Sequence, residues 1–123
     1  ITSTGTVLYI EDNNSNIELI EQIFTVHRPN LSLIFHKSGS DVVDLILKHE
    51  PYLILLDLDL PNVHGSKIVQ SLKENEQTRH IPIVVISADA TSHQIRKMIR
   101  LGVNSYLTKP IDVQEFLAEI DKY

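Results

Sequence analysis

The sequence predicts an α/β fold in which five parallel strands form a doubly wound sheet with helices on both faces. Apolar runs alternate with stretches of helical periodicity along the whole chain, a pattern typical of parallel sheets. The run LILL at residues 53–56 is apolar at every position, so both faces of that strand should be covered. A length of 123 residues suits one domain, which we expect to span residues 1–123.

Two strand–helix units are predicted in the first half of the chain. Their strands are the apolar runs at residues 6–10 and 31–35. Apolar residues recur at helical spacing over residues 15–27, and Pro51 ends a second helix that follows the second strand. The predicted N-caps are Asn14 or Ser15 for the first helix and Ser40 or Asp41 for the second. The expected buried stripes are Ile17, Ile20, Ile23 and Phe24 in the first helix and Val42, Val43, Ile46 and Leu47 in the second.

The alternation continues in the second half of the chain, where the central strand ends on Asp57. The elements predicted after it are helices at residues 66–74 and 92–101, strands at 82–87 and 105–108, and a last helix that opens at Asp112. Gly102 suits the left-handed position that closes a helix. Glu115 has the spacing that a capping box with Asp112 requires. The expected inward residues are Ile68, Val69 and Leu72, then Ile95, Met98 and Ile99, and finally Val113, Phe116, Leu117 and Ile120.

The composition excludes several classes of protein. A net charge of −5 and scattered basic residues argue against a nucleic-acid surface, because phosphate binding needs a basic stripe. There is no cysteine, so disulfides and thiolate metal sites are excluded. No apolar run approaches the roughly 18 residues of a membrane span, so we expect no membrane insertion and a cytoplasmic location. The chain begins with Ile1 rather than Met, which suggests a piece of a longer protein.

Polar residues follow four of the predicted strands at their carboxyl ends. They are Glu11 and Asp12 after the first strand, Asp57 after the third, Ser87 after the fourth and Lys109 after the fifth. Because these ends meet at one edge of a parallel sheet, the side chains should lie together. Three adjacent carboxylates repel one another unless a cation lies between them, and oxygen ligands suit Mg²⁺. A lysine and a serine opposite the acids would complete a cradle for a phosphoryl group.

The order and spacing of these residues resemble the receiver domains of two-component response regulators. The motifs that carry the resemblance are Glu11-Asp12 after TVLYI, DLDLP at 57–61 followed by Gly65, Ser87-Ala88, and YLTKP at 106–110. Each motif is weak alone, but together they are specific and cover essentially the whole sequence. The resemblance implies a flavodoxin-like (βα)5 fold with strand order 2-1-3-4-5.

The resemblance assigns the chemistry to three side chains. It implies that Asp57 is the phosphoacceptor and attacks a phosphohistidine of a partner protein, giving an acyl phosphate. Ser87 would hydrogen-bond one phosphoryl oxygen, and Lys109 would pair with another. The peptide bond between Lys109 and Pro110 is expected to be cis. The implied partner is a histidine kinase or a histidine phosphotransfer protein.

A Mg²⁺ site and a switch are also implied by the resemblance. The side chains of Asp12 and Asp57 and the backbone carbonyl of Asp59 would bind the metal. Glu11 would act mostly through a water on the metal. Phosphorylation would draw the serine inward and let Tyr106 turn into the space it leaves, as a shift between two existing states. The face formed by the fourth helix, fifth strand and fifth helix is the expected readout surface.

Two further acids, Asp59 and Asp89, each lie two residues past a candidate site residue. We expect them to tune the lifetime of the phosphoryl group, because side chains there flank the path of a hydrolysing water. An unchanged dephosphorylation rate after exchanging both for uncharged residues would contradict this role. Leu60 stands where the family often has methionine, which should be a nearly neutral change of volume.

Two alternative functions stay open at this stage. The spacing Asp57-Leu58-Asp59 matches the DxD motif of haloacid-dehalogenase-like phosphatases, although it lies mid-chain and no cap domain is present. The other alternative is a receiver-like binding module that is never phosphorylated. The two ends of the chain look like those of receivers fused behind hybrid sensor histidine kinases. The resemblance implies self-phosphorylation and autodephosphorylation, and it leaves the oligomeric state open, a homodimer included.

Overall fold

The computed structural model describes residues 5–37, 41–59 and 65–123, so that Ser40, Leu60 and Pro61 lie outside the described residues. The strands are β1 (Gly5–Ile10), β2 (Leu31–His36), β3 (Leu53–Asp57), β4 (Ile83–Ser87) and β5 (Ser105–Thr108). The helices are α1 (Asn14–His27), α2 (Val42–His49), α3 (Gly65–Glu74), α4 (Ser92–Leu101) and α5 (Val113–Ile120). The predicted alternation is confirmed, and the predicted ends of these elements lie within two residues of the observed ones.

The strands form one parallel sheet in the order β2-β1-β3-β4-β5, as the resemblance implied. The register pairs Ile10 of β1 with Leu56 of β3, so Glu11 follows beside Asp57. It also pairs Asp57 with Ile86 of β4, which places Ser87 one position beyond. The alignment of strand ends therefore brings the candidate residues to one edge of the sheet.

The sheet is covered on both faces, and this explains why β3 and β4 are buried at every position. One face packs against α1 and α5 through residues that include Ile20, Phe24 and Phe116. The opposite face packs against α2, α3 and α4, with Val69 and Met98 among its buried residues. The doubly wound architecture predicted from the sequence is confirmed.

Two residues predicted to face inward are exposed instead. Leu47 is 44% exposed and Ile99 is 47% exposed. In α2 only Val42 and Ile46 are buried, because they lie one turn apart on the stripe that meets the sheet. Leu47 is turned by about 100° from Ile46 around the helix, which carries it off that stripe. Helices at this sheet bury narrower faces than their apolar content suggests.

The helix caps agree only in part with the predictions. The N-cap of α1 is Asn13, whose side chain accepts a hydrogen bond of 3.1 Å from the backbone N–H of Asn16, so the prediction of Asn14 or Ser15 was wrong. Three consecutive residues there can all act as caps, and the sequence did not distinguish them. At α5, Asp112 accepts from the N–H of Glu115 at 2.9 Å, as predicted.

Gly102 closes α4 in a left-handed conformation with φ of 112°, as predicted. We expect Gly102→Ala to lower the free energy of unfolding by about 1–2 kcal/mol, because a side chain disfavours this region. The added Cβ would also lie 3.2 Å from Cγ of Lys73. Urea unfolding measures the loss, with exposed Arg100→Ala as the control, expected to stay within about 0.5 kcal/mol. Equal effects of the two substitutions would contradict this explanation.

Candidate functional site

The candidate site is formed where β3, β4 and β5 end side by side. Asp57 is the last residue of β3 and is only 1% exposed. Ser87 is the last residue of β4 and is equally buried. The N–H of Lys109 donates to the carbonyl of Ser87 at 2.9 Å, which continues the pairing of β4 with β5 past the strand ends. This bond places the lysine beside the serine and the aspartate.

Both carboxylate oxygens of Asp57 accept hydrogen bonds. Nζ of Lys109 donates to Oδ2 at 2.7 Å, and the backbone N–H of Asp59 donates to Oδ1 at 2.6 Å. Burial opposes the charged form of Lys109, but its bonds to Asp57 and Asp59 outweigh burial and raise the pKa of this lysine. The site therefore holds an ammonium group directly against a buried carboxylate. The peptide bond between Lys109 and Pro110 is cis.

Glu11 is a second buried acid at this edge, with 2% exposure. Its Oε1 accepts from the backbone N–H of Asn13 at 3.0 Å and from the amide of Asn16 at 3.4 Å. The hydroxyl of Tyr9 donates to Oε2 at 3.3 Å. Burial, together with contact to Asp57, raises the pKa of Glu11 to about 7. Two neighbouring buried carboxyl groups are the kind of environment that a bound cation would relieve.

Asp12, the other member of the acidic pair, is exposed. Among the residues that the structure describes, no three His, Cys, Asp or Glu side chains are grouped so that they could hold a metal ion. The acidic side chains at this edge offer only oxygen atoms as metal ligands, and oxygen ligands suit Mg²⁺ better than a softer metal. Glu11 and Asp57 are the two acids that are buried together at this edge.

The side chain of Asp59 was expected to flank the path of a hydrolysing water. It is bonded to the donors of the site, which the sequence did not predict. Its Oδ1 accepts from the hydroxyl of Ser87 at 3.0 Å. Its Oδ2 accepts from the backbone N–H of Ala88 at 3.0 Å and from Nζ of Lys109 at 3.1 Å. Burial acts against the ionised form, but these bonds prevail and lower the pKa of Asp59. Asp59 is thus a carboxylate held by three hydrogen-bond donors.

Asp89 and Tyr106 lie beyond Ser87 and are linked to each other. The N–H of Asp89 donates to Oγ of Ser87 at 3.0 Å, while its own carboxylate accepts from the N–H and hydroxyl of Thr91. The two bonds from Thr91 lower the pKa of Asp89. Tyr106 is half-buried on β5, and its hydroxyl donates to the carbonyl of Asp89 at 2.6 Å. Tyr106 therefore contacts the loop that follows Ser87.

Sequence reasoning missed two members of this group. The N–H of Ala88 is a backbone donor, and residue type carries no signal for it. Tyr9 was expected only as a strand residue, although a tyrosine two positions before a buried glutamate has a hydroxyl that needs a partner when buried. An ammonium, an N–H and a hydroxyl converge on one anionic position. The site can therefore bind an anion and stabilise negative charge on its oxygens.

Comparison with known proteins gives consistent matches along the chain. The family model described as "Response regulator receiver domain" matches residues 7–121. The "Polar-differentiation response regulator DivK" of Brucella ovis is 33% identical over 120 residues, covering 98% of this chain and 96% of that protein. No helix in the described part of the chain has the length and apolar character needed to cross a membrane.

Solved structures match the fold equally well. The Mn(2+)-bound form of response regulator Rcp1 superposes with a TM-score of 0.79 at 25% identity, covering 96% of this chain and 90% of that one. The chemotaxis response regulator CheY4 of Vibrio cholerae gives a TM-score of 0.85 at 16% identity, covering 97% and 98%. The second match is a likeness of fold alone.

Proposed function

Because the chain belongs to the receiver domain family of response regulators, we propose that it accepts a phosphoryl group on Asp57. Receiver domains act in two-component signalling, where they interact with histidine kinases or phosphotransfer proteins. The observation that carries the proposal is the buried Asp57 carboxylate, held by Nζ of Lys109 at 2.7 Å at the carboxyl end of β3. We take residues 1–123 as the receiver domain and place it in the cytoplasm.

The proposed reaction is nucleophilic attack by a carboxylate oxygen of Asp57 on the phosphorus of a phosphohistidine. The new bond is P–O, the bond that breaks is P–N, and its electron pair returns to the imidazole of the partner. The phosphoryl oxygens then need donors, which Lys109, Ser87 and the N–H of Ala88 offer. Positioning and charge stabilisation account for the catalysis, because phosphoryl transfer needs little other covalent chemistry.

Receiver domains generally bind Mg²⁺, and we propose that this one does. Asp12, Asp57 and the carbonyl of Asp59 would hold the ion, with Glu11 acting through a water. The metal, when bound, neutralises charge on the transferring phosphoryl group. The pair of buried carboxyls at Glu11 and Asp57 supports the proposal, as does the Mn(2+) in the Rcp1 structure, since both ions prefer oxygen ligands.

We propose that phosphorylation shifts Ser87 and Tyr106 and so changes the face formed by α4, β5 and α5. The contacts already link the two residues, because Asp89 bonds to Ser87 through its N–H and to Tyr106 through its carbonyl. Changing a 1:99 population to 99:1 needs about 5.5 kcal/mol of differential interaction with the phosphoryl group. Asp59 and Asp89 would set the lifetime of that group. We also propose that this receiver domain follows a hybrid sensor kinase in a longer chain and that it associates as a homodimer.

Intact mass after incubation with acetyl phosphate, with and without Mg²⁺, tests the phosphoacceptor. We expect wild type to gain one phosphoryl group only when Mg²⁺ is present, and Asp57→Asn to gain none, because an amide is no nucleophile here. Asp44→Asn, which removes an exposed acid of α2, is the matched control and should be labelled like wild type. No adduct together with no complex with beryllofluoride would overturn the proposal and favour a binding module.

The phosphatase alternative finds no support at Asp59. A haloacid-dehalogenase-like enzyme would use its second aspartate as a general acid, which requires a proton on that carboxyl. Asp59 instead accepts bonds from Ser87, Ala88 and Lys109, and they lower its pKa. An acid held in its ionised form is a poor proton donor near neutral pH.

A further inference from the structure

The carboxylate of Asp59 fills the position at which anion donors of the site converge. Its two oxygens accept from Oγ of Ser87 and N of Ala88, both at 3.0 Å, and from Nζ of Lys109 at 3.1 Å. A carboxylate and a phosphoryl group both present negatively charged oxygens at similar spacing. The chain therefore supplies an anion of its own to the donors that an incoming phosphoryl group needs.

The donors that bond to Asp59 are the same atoms that would bond to a phosphoryl group. Ser87 and Lys109 are the side chains that the proposed function assigns to phosphoryl oxygens, and both are already bonded to Asp59. A hydroxyl donates one hydrogen bond and a backbone N–H donates one, so neither can serve Asp59 and a phosphoryl oxygen together. Lys109 has three donors, but its partners Asp57 and Asp59 already use two of them.

We propose that Asp59 is an internal competitor for the phosphoryl position, which must leave before Asp57 can be phosphorylated. The inference rests on the proposed function. The Asp59 side chain is 39% exposed, so it can rotate into water without disturbing the core. Its departure costs charge-assisted hydrogen bonds, and this cost opposes phosphorylation and the binding of phosphoryl analogues alike.

The substitution Asp59→Asn tests whether the carboxylate of Asp59, rather than the size of its side chain, competes with an external anion. Asparagine keeps the size of the side chain but has only one acceptor oxygen, so its amide N–H₂ would face either Ser87 or the pair of Ala88 and Lys109. Facing Ser87, the amide N–H₂ can donate to the hydroxyl oxygen, but the neutral side chain no longer makes the charge-assisted bonds by which the carboxylate holds Lys109 and the N–H of Ala88. Asp59→Asn should therefore free the site for an external anion.

Asp89 offers a matched control. Like Asp59 it lies two residues past a strand end, and Asp89→Asn removes one negative charge from the same edge. Its carboxylate bonds to Thr91 rather than to the three donors. A general effect of charge on anion binding would appear in both variants, whereas relief of competition appears only in Asp59→Asn.

The experiment measures the affinity for beryllofluoride by calorimetric titration, with Mg²⁺ saturating for each variant. We expect Asp59→Asn to bind at least about tenfold more tightly than wild type, since a charge-assisted hydrogen bond is worth that much. Asp89→Asn should stay within about twofold of wild type, because it leaves the three donors and Asp59 in place, and the lifetime role proposed for Asp89 concerns hydrolysis, which beryllofluoride affinity does not report. Equal affinities of wild type and Asp59→Asn would overturn the inference and leave the phosphoacceptor standing. Equal gains in both variants would overturn it as well, whereas no binding by any variant would overturn the phosphoacceptor itself.

Hydrogen exchange at the amide of Ala88 gives a readout that does not depend on phosphorylation. In the ligand-free protein this amide donates to Asp59, so it should exchange slowly in wild type and in Asp89→Asn. In Asp59→Ala it should exchange faster, and beryllofluoride with Mg²⁺ should restore the protection. Equal ligand-free exchange in wild type and Asp59→Ala would show that Asp59 does not fill the position in solution.

Discussion

Replacing Lys109 by methionine is expected to slow phosphoryl transfer to Asp57 by about 100- to 1000-fold, the effect typical of losing one donor to a charged transition state. Nζ of Lys109 lies 2.7 Å from Oδ2 of Asp57, so the ammonium is placed to stabilise negative charge that develops beside this carboxylate. Methionine keeps an unbranched apolar stem of similar length, so the packing of the side chain changes little. Single-turnover labelling with acetyl phosphate, followed by intact mass, measures the rate.

The same substitution should strengthen Mg²⁺ binding while it slows transfer. Without the ammonium, the carboxylates of Asp57 and Asp59 lose the cation that bonds to both, and the repulsion from Glu11 is unrelieved. A divalent cation is then the remaining source of positive charge at this edge. Calorimetric titration with Mg²⁺ measures the affinity in the absence of any phosphoryl donor.

Lys122→Met is the control for the loss of a positive charge. Lys122 follows α5, is exposed, and pairs with Glu119 away from the site. It should leave both the transfer rate and the Mg²⁺ affinity unchanged, because exposed pairs of this kind contribute little. A Lys109→Met protein whose Mg²⁺ affinity falls together with its transfer rate would contradict the electrostatic explanation and indicate a disturbed site.

The fold and most of the site could be predicted because the sequence shows where each strand begins and ends. The parallel register places Glu11 beside Asp57 and Ser87 one step beyond Ile86, so residues that follow strands meet at one edge. Nothing in that inference requires knowledge of side-chain rotamers. The roles proposed for these residues stay predictions until they are measured.

The bonds of the Asp59 side chain and the donor at Ala88 could not be predicted, for different physical reasons. Asp59 lies two residues past the end of β3, where the backbone is free to direct its side chain towards water or towards Ser87. The donor at Ala88 is a backbone N–H, whose direction depends on the loop conformation rather than on residue type. The exposed Leu47 shows the same limit on a helix, since apolar periodicity cannot tell how wide a face the sheet will cover.

Phe116→Ala should lower the free energy of unfolding by about 3–5 kcal/mol, a large part of the roughly 5–15 kcal/mol that stabilises a domain. Phe116 of α5 is fully buried, and its ring centroid lies 6.0 Å from that of Phe24 in α1 with a tilt of 49°. Alanine would leave a cavity under α5, a helix of only 8 residues in which Phe116 is one of three buried side chains. Urea unfolding measures the loss.

Phe35→Ala provides the matched control, because Phe35 of β2 is 42% exposed and loses less contact when truncated. Its cost should stay below that of Phe116→Ala by at least about 2 kcal/mol. The slope of the urea transition then tells how α5 is held. If α5 detaches from α1 before the sheet unfolds, the slope for Phe116→Ala falls, since less surface is exposed in the main transition. An unchanged slope with the expected loss of unfolding free energy would show that α5 unfolds together with the sheet. A loss of unfolding free energy no larger than that of Phe35→Ala would contradict the packing of α5 described above.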